Sequence, residues 1–281
     1  MIYLSEDGKS LVKIQSWQEI EERPGYQAKV NQDDIEIKKI IGRYQLPSKQ
    51  PCGISSCSTP HNRGYLVVCS GGIETNIGHR CGKRIFGVEF KELERIFTKD
   101  TNSQRYRENI ARKKNQLADI ESRIGWLTYG ERQGDYCYKE LKWHATKGFE
   151  SQTLQALHKR AEKNDDIIRR HIVMSSEERE YARETGAIDI EEEVVAKIYG
   201  LSAIKNYKKL NGLLTTTLGE ELNSFKALDE AKLEYDELKR WNNWVNRLEK
   251  NVKKVEEIID DCHRFLTQEN TNKIRRYKTL L

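Results

Sequence analysis

Six cysteines occur in this chain of 281 residues, and four of them, Cys52, Cys57, Cys69 and Cys81, fall within thirty positions. Thiolates are soft ligands, and four close together suit a tetrahedral zinc ion. The first ten residues lack the basic and apolar regions of an export signal. The expected compartment is therefore cytoplasmic, where disulfides are rare. The simplest ligand set is Cys52-x4-Cys57-x11-Cys69-x11-Cys81. A hairpin argues against one member. Gly64–Cys69 and Ile73–Gly78 flank Ser70-Gly71-Gly72, which predicts two paired strands. Cys69 then sits at the closed end, while Cys57 and Cys81 lie beyond the open end. Five residues at ~3.3 Å each separate them by about 15 Å, against zinc–sulfur bonds of about 2.3 Å.

His61 follows Cys57 by four, in a proline-containing loop able to fold two ligands onto one ion. The expected set is Cys52, Cys57, His61 and Cys81, with His79 or Cys69 as alternative fourth ligands. Cys81 would stand where the chain enters a helix, whose first N–H groups help hold a thiolate. The competing reading is reduced cysteines packed as small hydrophobes. The expected role of the metal is structural. A catalytic zinc needs an open position and a general base, and Glu74 is the only acid inside the cluster. The His-x-Glu and Pro-Cys-x-x-Cys signature of zinc deaminases is absent.

A ligand-bearing loop, a hairpin and a ligand at the next helix start resemble the treble-clef class of zinc fingers over about residues 50–95. The segments Cys57–Tyr65 and Glu74–Gly82 are also similar to uncharacterised proteins of phages and mobile elements. The second Cys-x-x-Cys of a treble clef is missing, since residue 84 is Arg and residue 78 is Gly. The resemblance implies a partner in host transcription, DNA processing or defence, and no particular reaction.

Other chemistry finds little support. Phosphate-loop, dinucleotide, His-Glu-x-x-His and Gly-x-Ser-x-Gly patterns are all absent. Basic residues outnumber acidic ones by 15 to 13 in residues 1–100 and by 16 to 13 in 101–180, and they balance at 18 each beyond. No third of the chain is a basic domain, so an anion-binding face must arise by folding. Arg63, Arg80, Lys83 and Arg84, on the loops a metal would gather, are the expected face for a nucleic acid or host protein. The expected function is a non-enzymatic, zinc-stapled binding protein. A metal-dependent nuclease, or another nucleic-acid enzyme, is the alternative.

The elements that must position these residues divide in two. All four prolines lie in the first 60 residues, and glycines crowd residues 64–87. One third of the residues are charged and 37% are hydrophobic, a balance that favours exposed helices over a compact α/β core. Runs at Met1–Leu4 and Leu11–Ile14 around Asp7-Gly8 predict a first hairpin. Ser16 and Glu19 predict a capping box stopped by Pro24-Gly25. Helix is expected to resume over Val88–Phe97.

Beyond, Tyr106, Ile110, Leu117, Ile120, Ile124 and Leu127 fit a heptad seam interrupted by Lys113. A stutter is expected near Ala231. Leu238, Trp241, Val245, Leu248, Val252, Val255, Ile259, Cys262 and Leu266 then alternate steps of three and four. Ser175-x-x-Glu178 and Asp189-x-x-Glu192 predict two helix starts on either side of Gly186. The expected fold is mainly α: an α+β zinc-binding module over residues 1–97, then long helices forming a coiled-coil-like bundle over 98–281. The late seam serves either an internal bundle or a homodimer. No stretch is apolar enough for a membrane span.

Overall fold

The computed structural model describes residues 2–5, 12–57, 59–172, 175–185 and 191–281. They form two compact units, one of residues 1–112 with 229–243 and the other of 113–228 with 244–281.

The first unit is built on a five-stranded antiparallel sheet, β1 (Ile2–Leu4), β2 (Val12–Ile14), β3 (Ile37–Gln50), β4 (His61–Cys69) and β5 (Glu74–Gly78), in the order β2-β1-β3-β4-β5. Successive side chains of a strand face opposite ways, and here both faces are covered. Ile40, Tyr65, Val67 and Ile77 pack under Phe90 and Phe97 of α2 (His79–Lys114). Ile2, Leu4, Ile41, Tyr44 and Leu66 pack on the other face with Ile20 of the short α1 (Gln18–Glu21). The capping box before α1 is reciprocal: Ser16 N donates to Glu19 Oε1 at 2.8 Å, and Glu19 N to Ser16 Oγ at 3.3 Å. The β1–β2 pairing is present, and its Asp7-Gly8 turn lies outside the described residues.

The β4–β5 turn runs through Gly71 and Gly72 at φ of 72° and 79°, a region that favours glycine. Helix α2 is interrupted at Gly87 (φ 55°, ψ −122°), and its later part turns so that Phe90 lies on Gly82. A methyl group at Gly82 would stand 2.3 Å from that ring. Near its end, Arg107 donates to the carbonyls of Glu230 and Leu233, and Asn109 Nδ2 to Asn242 Oδ1 at 2.9 Å. These bonds tie residues 229–243 into the unit.

The second unit holds α3 (Leu117–Tyr129), α4 (Gly134–Trp143), α5 (Ser151–Lys163), the hairpin β6 (Ile167–Ile172) and β7 (Glu191–Lys197), α6 (Ser176–Thr185), α7 (Ser202–Gly212), α8 (Glu221–Lys226), most of α9 (Tyr235–Phe265) and α10 (Gln268–Arg276). Two π-helical stretches, His144–Gly148 and Leu213–Glu220, adjoin α4 and α7.

The expected fold class is corrected on two points. Helix predominates, but strand is not confined to a small N-terminal module: a five-stranded antiparallel sheet anchors the first unit and a second sheet, β6–β7, stands among the later helices. Glu192, expected at a helix start, lies on β7; Gly186 and Asp189 lie outside the described residues. Nor do the described helices form a coiled coil. Trp244, Ile258 and Phe265 are buried beside Leu248, Val252 and Val255 on α9. That apolar stripe is wider than an a/d seam and is the mark of a globular core helix. The early seam is split where α2 ends at Lys114 and α3 begins at Leu117. The expected stutter falls in the break between α8 and α9. Absence of proline permits long helices but does not join them. Among the described residues no helix is long and apolar enough to cross a membrane.

Candidate metal centre

Cys52, Cys57 and Cys81 come from three places: the loop after β3, a turn at Ser55–Cys57, and the first turn of α2. Their sulfurs all lie within 4.8 Å of one another, with Cys57 Sγ and Cys81 Sγ 3.1 Å apart. The loop is fixed by its own backbone. Gly53 N donates to Asn76 O on β5, Val30 N to Gly53 O, and Ser55 N to Val30 O, at 2.7–2.8 Å. A side chain on Gly53 would collide with Thr75 and Asn76, so glycine is what lets the loop lie against β5. Asn76 Nδ2 holds the Pro51 carbonyl and Lys29 Nζ the Cys52 carbonyl, at 2.8 and 3.0 Å. Cys52 and Cys81 are buried and Cys57 is half-buried.

The electrostatics single out Cys57. Burial alone would push its thiol up. Hydrogen bonds involving Thr59, Cys81 and Cys52 more than offset this and bring it down to about 7. The Arg84 guanidinium, 3.3 Å from Cys57 Sγ, adds a cation of the kind that favours a thiolate. Cys81 is pushed up to about 12, by burial first and then by its hydrogen bond to Cys57 and the neighbouring sulfur charges. The pair therefore retains a proton that a bound metal would displace. Three close sulfurs of this kind are a group able to hold a metal ion.

His61 opens β4 and lines the same cavity as Cys81. It is not one of the 4.8 Å group. Its Nδ1 is 3.0 Å from the Tyr44 hydroxyl, and its Nε2 is buried with no hydrogen-bond partner among the described residues. Gly78 makes room for it, since a methyl group there would stand 2.5 Å from the imidazole. His79 turns elsewhere, with Nδ1 3.0 Å from Glu94 Oε1. Cys69 is at the far end of the hairpin, buried in the core beside Ile37, with its thiol pushed up to about 11 by burial. Glu74 is also at that end, held by Arg23 at 2.6 and 2.9 Å. The acid within the cysteine cluster in sequence is thus removed from it in space.

The four expected basic residues separate. Arg63 and Arg80 line the cavity beside Cys81. Lys83 is paired with Glu94 at 3.0 Å, and Arg84 is turned onto the Cys57 sulfur. Two further cations stand with Arg63 and were not among those expected: Arg43 and Lys49, both from β3. Only the recognition of residues 37–50 as a strand would have placed them there. Comparison with protein families, curated proteins and solved structures gives no match for this chain.

Proposed function

We propose that the first unit is a zinc-stapled binding module, in which one ion held by Cys52, Cys57 and Cys81 fastens the loop after β3 to the start of α2. The convergence of three sulfurs from three separate segments carries this reading. Zinc is favoured by the thiolate-rich set, since hard cations take oxygen ligands. His61 is the fourth ligand in this reading. Among the described residues its Nε2 has no other partner, and Tyr44 at Nδ1 supplies an oxygen contact of the kind that orients a ligating imidazole. A fourth protein ligand closes the site, and Glu74 is engaged by Arg23, so the role is structural and the protein acts by binding. Its partner is anionic, a nucleic acid or an acidic host protein, and docks on the cationic surface next to the staple.

Metal analysis tests this. Purified protein should carry about one zinc per chain. Cys57→Ser and Cys81→Ser should lose it and loosen residues 50–95, because structural zinc contributes folding free energy directly. Cys69→Ser should retain it. His61→Ala should weaken retention against a chelator. Full retention in Cys57→Ser, or loss only in Cys69→Ser, would reject the assignment.

A further inference from the structure

Two cavities open beside the start of α2. One, of about 580 Å³, is lined by Lys49, Arg63, His79 and Arg80, with Thr59 and Asn62. The other, of about 320 Å³, is lined by Arg43, Arg63, Tyr65, His79 and Glu94. Arg63 and His79 wall both, so the two meet there as one trough. The β3–β4 register explains the grouping. Arg43 lies opposite Tyr65 and Gln45 opposite Arg63, which makes Arg43 and Arg63 diagonal neighbours. Lys49 is six residues beyond Arg43, at most roughly 20 Å at ~3.4 Å per residue. Arg43, Lys49, Arg63 and Arg80 are exposed, and none makes an ion pair among the described residues. Glu94, the carboxylate on these walls, is already taken up by Tyr65, His79 and Lys83 at 2.7–3.0 Å. The trough therefore holds four cations, and the carboxylate on its walls is committed to other partners.

We propose that this trough binds a single strand of nucleic acid, with Arg43, Lys49, Arg63 and Arg80 on successive phosphates. The proposal rests on the reading of the first unit as a binding module and names its partner. Four exposed cations lining adjoining cavities, none of them in an ion pair among the described residues, complement a polyanion. A duplex presents its phosphates on a convex cylinder, which cannot enter cavities of a few hundred Å³, whereas one flexible strand can follow their floor. The half-exposed ring of His79 at the junction offers a face on which a base can stack.

The test is fluorescence anisotropy of a labelled oligothymidylate with the full-length, metal-loaded protein. With four phosphates neutralised, affinity should fall about 50-fold between roughly 50 and 200 mM salt, taking a slope of about 0.7 per contact for single strands. In the double variant Arg43→Gln/Arg63→Gln the same salt change should cost about 7-fold only. Arg169→Gln/Arg170→Gln, on β6 of the other unit, should match the wild type. Equal zinc content and circular dichroism certify the fold of each variant. The proposal is overturned if the wild type prefers a duplex of the same sequence, if polyglutamate displaces the strand at equal charge concentration, or if the double variant keeps the wild-type slope. A zinc-free protein that binds the strand with the expected slope would refute the staple and support the trough. A zinc-loaded protein that binds no strand would refute the trough and leave the staple standing.

Discussion

Glu94 shows how much one side chain can organise. Burial works against its charge, but the Tyr65 hydroxyl, Lys83 and His79 more than compensate and hold its carboxyl below the usual carboxylate range. A group depressed in the folded state stabilises above its unfolded pKa, and that contribution is lost as pH falls through the folded value. Glu94→Gln should therefore cost about 1–2 kcal/mol at neutral pH. The difference from wild type should shrink as pH drops below the ordinary carboxylate range. Urea denaturation of both proteins at pH 7 and pH 3 reads this out, and an equal difference at both would contradict the assigned charge state. At this scale the sequence was informative about sulfur and much less so about cations. Chain spacing and one hairpin sufficed to separate Cys69 from Cys57 and Cys81. Nothing in the spacing of Lys83 and Arg84 could show that Glu94 and the Cys57 sulfur would engage them, since the first contact depends on the turn of α2 at Gly87 and the second on the fold of the loop that carries Cys57.

Helix α2 depends on two glycines for different reasons. Gly87 has a positive φ that only glycine adopts without strain, and Gly82 lies directly beneath the Phe90 ring. Gly87→Ala should cost about 1–3 kcal/mol through backbone strain. Gly82→Ala should cost about 1–3 kcal/mol through overpacking. Because Cys81 is adjacent, the proposed zinc staple predicts that Gly82→Ala also speeds zinc loss to a chelator, whereas Gly87→Ala should mainly lower the melting temperature. Thermal melts combined with a colorimetric zinc-release assay distinguish the two effects. Several elements were legible beforehand: the capping box at Ser16, the glycine turn at Gly71-Gly72, and the helix resuming beyond Gly87. Strand β3 was not. Its Lys38, Lys39, Arg43, Pro47 and Lys49 disguise it, and its apolar residues are shared between two cores, so that no clean alternation survives. The strands β6 and β7 are hidden similarly by Arg169, Arg170 and the run Glu191–Glu193.

For the molecule as a whole, the late apolar stripe decides whether a second chain is needed. Leu248 and Val252 are only 1% and 2% exposed in a single chain, close to Ile120 and Ile124 of α3, while Arg123 bridges to Glu249 and Glu256 above them. Leu248→Asp should therefore destabilise the monomer by several kcal/mol. Light scattering should show the same mass for mutant and wild type before unfolding. A wild-type dimer that this change splits into folded monomers would reject the internal role. The heptad spacing was correctly visible in the sequence, but it cannot separate a supercoiled seam from one side of a wider core; only the burial of Trp244, Ile258 and Phe265 does that.

The first unit is discontinuous, since residues 229–243 return to it after a long excursion. In the time of synthesis this has a definite meaning. At roughly 5–20 residues per second, the segment that completes the unit emerges about 7–26 s after residue 112. The three cysteines, His61 and the sheet that carries them are all made before that interval begins. The loop bearing Cys52 and Cys57 is held by backbone bonds to β5 and to Val30, none of which involves the returning segment. Once residue 112 has left the ribosome, the nascent chain thus already carries every ligand of the proposed staple, and in that reading metal can bind before residues 229–243 return.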